Sequence, residues 1–140
     1  MIKLFLLLSL PLAAQTFGIF CPSTSPKPVV CSITSSTPNA STFQWDISTN
    51  VPNSGMTVKS LVLNKSASAN GGRMVMVGMN ATPMPTGAVA TVSIAFPAAW
   101  KCPGNSPCLT VNLSGPQATI NNHAVNLIAS PASATMRVPK

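Results

Sequence analysis

The sequence predicts an all-β fold, a two-sheet sandwich of Greek-key or jelly-roll type built from about nine short strands. Three observations carry this reading. No segment keeps a helical spacing of apolar residues. The chain is punctuated by 14 prolines and 8 glycines. Between them recurs a short run, alternating or β-branched and bounded by turn residues, which is the pattern of strands.

Taken from the N-terminus, Met1-Ile2-Lys3 is a short positive start, and Leu4 to Leu12 is an apolar run broken only by Ser9 and Pro11. Ala13-Ala14-Gln15 offers a small-residue cleavage point. Residues 1–14 therefore read as a secretory signal peptide, too short to span a bilayer. A single domain over residues 15–140 is expected to follow, secreted or periplasmic, with no transmembrane span after cleavage. Phe20 before Cys21 is too bulky for a lipoprotein processing site.

Strands are expected near Val29–Thr34, Thr42–Ser48, Thr57–Leu63, Arg73–Met79, Ala88–Phe96, Leu109–Ser114, Gln117–Ile120, Ala124–Ile128 and Ala134–Val138. In the second, Phe43, Trp45 and Ile47 share one face, and Thr42, Gln44, Asp46 and Ser48 share the other. In the fifth, Ala90, Val92, Ile94 and Phe96 point one way and Val89, Thr91, Ser93 and Ala95 the other. Leu109, Val111 and Leu113 alternate with Thr110, Asn112 and Ser114. Each is the pattern of a half-buried strand with a polar outer face. Asn121-Asn122 is expected to form a tight turn, since asparagine tolerates positive φ. An eight-stranded outer-membrane barrel fits the length but would need longer strands and aromatic girdles, and this chain has five Phe, two Trp and no Tyr.

Four cysteines in an exported chain imply two disulfides, in one of three connectivities. Cys102-Pro-Gly-Asn-Ser-Pro-Cys108 is a short, turn-rich loop whose ends can meet, and Cys21 and Cys31 flank Pro22, Pro26 and Pro28. The local pairs Cys21–Cys31 and Cys102–Cys108 are therefore expected. Zinc would need a different spacing and a different compartment.

Composition excludes much chemistry. Charged residues are 6% of the chain, against about 25% in ordinary domains. Asp46 is the only carboxylate side chain and His123 the only imidazole. A glycosidase carboxylate pair and an EF-hand are therefore excluded. Asp46 and His123 could be written into a triad with a serine. However, His123 falls in a polar hairpin, Asp46 on a distant strand, and there is no Gly-x-Ser-x-Gly elbow. The expectation is a protein that is not an enzyme, with no metal and no cofactor. The basic residues left after the leader, from Lys27 to Lys140, are scattered rather than grouped with aromatic residues, so nucleic acid is not the expected partner.

Two features remain as candidate contacts. Trp45 is in phase with Phe43 and Ile47, so it is expected in the core. Trp100 lies outside any alternation, beside Lys101 and the second cysteine loop. It either closes the edge of the sandwich or stands exposed as a polysaccharide contact. In Arg73–Met79, Met74 and Met76 face opposite to Val75, Val77 and Met79, so both faces are apolar. Either a loop such as the one holding Met84 covers the second side, or an exposed methionine stripe docks a protein. Asn-x-Ser/Thr triplets at Asn39, Asn64, Asn80 and Asn112 are close to the number that chance would supply.

Four stretches resemble the cohesin family of secreted β-sandwich modules. Ser41-Thr-Phe-Gln-Trp-Asp-Ile-Ser48 is similar to an early cohesin strand. Gly71-Gly-Arg-Met-Val-Met-Val-Gly-Met79 is similar to the central strand after a glycine turn. Pro85-Thr-Gly-Ala-Val-Ala-Thr-Val-Ser-Ile-Ala-Phe96 carries the glycine that precedes a Val-Leu-Ala-Thr-Ile-Thr-Phe-like run. Leu109–Val138 resembles the closing strands. The likeness spans roughly residues 29–138. Two turns depart from the family: Ser48-Thr-Asn-Val-Pro-Asn-Ser-Gly55 lacks its Asp-Pro, and Asn121-Asn122-His123 replaces an acidic, glycine-containing hairpin. The resemblance implies a non-catalytic module that binds a protein partner or a polysaccharide through a sheet face. The alternative is a structural envelope or matrix subunit that self-associates, which a surface this poor in charge favours.

Overall fold

The computed structural model describes residues 15–24, 28–78, 82–97, 99–103 and 106–138. The expected signal peptide over residues 1–14, the end of the run at Met79, and the Asn80 triplet lie outside the described residues. Eleven strands are present among the described residues: β1 (Thr16–Phe20), β2 (Val29–Ser35), β3 (Ala40–Thr49), β4 (Gly55–Ser60), β5 (Lys65–Asn70), β6 (Arg73–Gly78), β7 (Gly87–Ala95), β8 (Leu109–Ile120), β9 (His123–Asn126), β10 (Ile128–Ala129) and β11 (Ser133–Met136). They form two sheets. The smaller runs β10-β1-β2-β7-β4, and the larger runs β11-β8-β3-β6-β5 with β9 also on β8. The expected two-sheet sandwich is therefore correct in class. No described helix is long and apolar enough to cross a membrane.

The differences from the expected strands have local causes. Leu109–Ser114 and Gln117–Ile120 are one strand, because the register shift opposite Gln44–Asp46 takes up Gly115 and Pro116 as a bulge. A bulge tolerates both the positive φ of Gly115 and the missing N–H of proline. Thr57–Leu63 ends early at Ser60, whose hydroxyl donates to Val62 O and accepts from Val62 N in a turn towards the other sheet. Ala124–Ile128 divides at buried Leu127: β9 pairs β8 in the larger sheet, whereas β10 runs parallel to β1 in the smaller. Asn121 and Asn122 make the expected turn, with φ of 51° and 64°.

β1 and β5 were not expected. β1 pairs antiparallel with β2 and carries Phe17 into the centre of the sandwich. Its ring lies 4.8 Å from Phe43 and 5.0 Å from Trp45, both on β3 of the opposite sheet. Trp45 is fully buried, as its alternation required. In β7, Val89 and Ala90 are both buried, where alternation put Val89 outside. Val89 is the extra residue at the register shift beside Ile33 and Thr34 of β2, and this bulge turns both side chains inward.

Both local disulfides form. Cys21 and Cys31 join the end of β1 to β2 across a Cα separation of 4.4 Å. Cys102 and Cys108 close the loop before β8 at 5.5 Å. Each bridge of this loop length restricts the unfolded chain by about 2–3 kcal/mol.

Candidate functional site

The larger sheet leaves one broad face open. β3 lies at its centre, with Gln44 opposite Gln117 of β8 and Val75 of β6, and Thr42 opposite Thr119 of β8. β5 extends the surface with Ser66 opposite Val77 and Ser68 opposite Val75. β9 extends it the other way, with Asn126 opposite Gln117 and Ala124 opposite Thr119. Alternation places all of these side chains on the face away from Phe43, Trp45, Met74 and Met76.

Hydrogen bonds between strands fix the polar groups. Thr42 Oγ1 donates to Thr119 Oγ1 at 2.6 Å, and Gln117 Nε2 donates to Asn126 Oδ1 at 3.0 Å. Short side chains at Val75 and Ala124 leave a depression of about 240 Å³ beside Thr42, Gln44, Gln117 and Thr119, floored by the strands at Phe43 and Ala118, whose side chains turn into the core. One ion pair interrupts this neutral surface. Arg73 Nε donates to Asp46 Oδ1 at 2.6 Å, and Nη2 donates to Oδ2 at 3.2 Å. The hydrogen bond and the charge of Asp46 raise the Arg73 guanidinium above its ordinary pKa. Both side chains are substantially exposed, at 55% and 36%, so solvent screens the pair and its main effect is to orient the two groups.

Met74 and Met76 are not surface contacts, which corrects the expectation of a methionine docking stripe. Both are completely buried, paired across the strands with Trp45 and Phe43. Pairing to β3 sets the phase of β6 and turns the methionines inward. The outward residues are Val75 and Val77, the latter 44% exposed. Met84 is buried in the core, and no loop among the described residues covers Val77. Trp100 is half-buried, with its ring 4.8 Å from Phe96 at a tilt of 34°, and its backbone N–H donates to Pro97 O. It precedes the Cys102–Cys108 loop and is not among the described residues that line the depression.

The triad geometry is not assembled. Asp46 is engaged by Arg73, and exposed His123 pairs with Ile120, which itself lies opposite Ala40, six residues along β3 from Asp46. That separation is about 20 Å at the rise of a strand. Among the described residues no three His, Cys, Asp or Glu side chains come close enough to hold a metal. Asn39, Asn64 and Asn112 are exposed, the first two at turns.

Alternation in Thr42–Ser48 marks Thr42, Gln44 and Asp46 as outward. The neighbours that complete the surface, Ser66 and Ser68 of β5, carry no strand signal of their own, because β5 reads Lys-Ser-Ala-Ser-Ala-Asn.

No protein-family model matches this chain, and no curated protein matches it. Among solved structures, a non-cellulosomal cohesin from the hyperthermophilic archaeon Archaeoglobus fulgidus superimposes with a TM-score of 0.59, at 12% sequence identity, over 89% of this chain and 92% of the cohesin. With the strand order described above, that likeness establishes the fold: this chain is a cohesin-like β-sandwich.

Proposed function

We propose that this chain is an exported, non-catalytic module that binds a protein partner through the outer face of its larger sheet. The observation that carries the reading is the face itself: a broad sheet surface, uncovered among the described residues, on which Thr42 is bonded to Thr119, Gln117 to Asn126 and Arg73 to Asp46, leaving almost no net charge. Such a surface is cheap to desolvate and has its geometry set before contact, which lowers the cost of binding. The cohesin-like fold supports an interaction role. The apolar leader and two disulfides support export. Polysaccharide binding on this face has less behind it: the one aromatic residue bordering the depression, Phe43, is buried with its ring in the core, and Trp100 is not among the described residues that line it and packs against Phe96.

The test is capture from the native secretome with two single variants. Val75→Lys places a charge in the depression, and Thr91→Lys places one on the outer face of the smaller sheet. Loss of the captured partner with Val75→Lys alone is the expected result. Equal capture by both variants rejects this face, and capture of nothing but further copies of the chain supports the self-associating structural role instead.

A further inference from the structure

At one end of the larger sheet, Ala40 at the start of β3 lies opposite Ile120 at the end of β8. The turn entering β3 and the β8–β9 turn are therefore neighbours. A third segment joins them, tied down by Met84 N donating to Ala40 O at 2.7 Å. Between the three lies a cleft of about 270 Å³ lined by Asn39, Ser41, Pro83, Asn121 and Asn122.

The chemistry of this cleft is uniform. Asn39, Asn121 and Asn122 each contribute a carboxamide that no described protein group hydrogen-bonds. Ser41 Oγ donates backwards to Thr119 O and keeps acceptor capacity. No charged side chain among the described residues lines the cleft. Lys65 is buried and donates to the backbone carbonyl of Ser41. A carboxamide holds a donor and an acceptor in one plane, and a pair of adjacent hydroxyls needs both. An anion would require donors alone, and a metal cation acceptors alone. Pro83 adds an apolar wall suited to the C–H face of a ring. The volume lies just below the roughly 300–1,000 Å³ of drug-sized sites, which suits one sugar unit.

The three asparagines have φ of 65°, 51° and 64°. Left-handed backbone accounts for each of them singly, as it does for Asn53 and Asn64 elsewhere. It does not account for three of them opening on one cleft. We propose that this cleft binds a neutral monosaccharide unit, with the carboxamides of Asn39, Asn121 and Asn122 holding adjacent sugar hydroxyls. The site is separate from the sheet face and does not depend on the protein-partner reading.

The test is an NMR titration of the ¹⁵N-labelled protein with the methyl glycosides of glucose, mannose and galactose, and with inorganic phosphate as the charged comparison. At least one glycoside should shift the amide and carboxamide signals of the three asparagines saturably in the millimolar range, and phosphate should not. Asn121→Gly with Asn122→Gly keeps the turn, because glycine accepts positive φ without steric cost. This double variant should bind at least about tenfold more weakly. Asn39→Gly, on the other turn, should weaken binding in the same direction with an unchanged melting temperature. The proposal is overturned if none of the three glycosides binds, if either folded glycine variant binds as well as the parent, or if phosphate shifts these signals in preference.

Discussion

Gly72 and Gly55 both stand where a strand begins, yet only one of them has no room for a side chain. Gly72 O accepts Ile47 N at 2.8 Å, and a Cβ on Gly72 would run into the Ile47 carbonyl. Around Gly55 nothing lies within 4 Å of the place a Cβ would occupy. Gly72→Ala is therefore expected to destabilise the protein by about 1–3 kcal/mol, because the β5–β6 turn must move away from β3. Gly55→Ala is expected to be neutral or to stabilise by up to about 1 kcal/mol, by reducing the freedom of the unfolded chain. Urea denaturation of the two variants separates them. Equal midpoints would show that the approach of Gly72 to β3 is not held. The turn matters beyond stability, since it sets Arg73 beside Asp46 and hence fixes the charged corner of the open sheet face.

β6 shows where strand-level reading succeeds and where it stops. Its existence was legible from Gly71-Gly72 followed by an apolar run, and its limits differ little from Arg73–Gly78. Its phase was not legible, because methionine on one side and valine on the other give alternation no polar face to mark as outside. The phase comes from β3, whose own alternation was unambiguous and whose Phe43 and Trp45 sit opposite Met76 and Met74. β5 was missed for the complementary reason: serine, alanine and asparagine have weak strand preference, and only the partner strand holds them extended. The polar half of the candidate face could thus be read residue by residue on β3 alone. Its assembly depended on strand neighbours that periodicity does not specify. The Asn-rich cleft was legible only as a turn at Asn121-Asn122, since Asn39 and Pro83 reach it from distant parts of the chain. The phase of β6 gives a sharp contrast. Met76→Ala should cost about 2–5 kcal/mol as a buried truncation, whereas exposed Val77→Ala should change stability by less than about 0.5 kcal/mol. Thermal unfolding of both decides it, and a larger loss at Val77 would place the methionines outside.

The whole chain carries eight bases and one acidic side chain, and this imbalance governs its response to pH. Acid unfolds most proteins because carboxylates that are paired or hydrogen-bonded in the native state take up protons, and stability falls with each such group. Here Asp46 is the only such side chain, and its pair with Arg73 is exposed and screened. The raised pKa of Arg73 works at the opposite end of the scale. A base raised on folding contributes stability that is fully present below its unfolded-state pKa and is lost only as pH rises through the folded one, in strong alkali. Repulsion among the bases does not grow much in acid either. Nearly all of it is already present at neutral pH, because almost no negative charge exists to be neutralised. The Cys21–Cys31 and Cys102–Cys108 bridges are independent of proton uptake over this range. The melting temperature of the oxidised protein is therefore expected to shift by no more than about 5 °C between pH 7 and pH 3. Calorimetry at fixed ionic strength measures it. A progressive fall of tens of degrees would mean that the Asp46–Arg73 pair, despite its exposure, holds β3 to β6 far more strongly than a solvent-screened contact can.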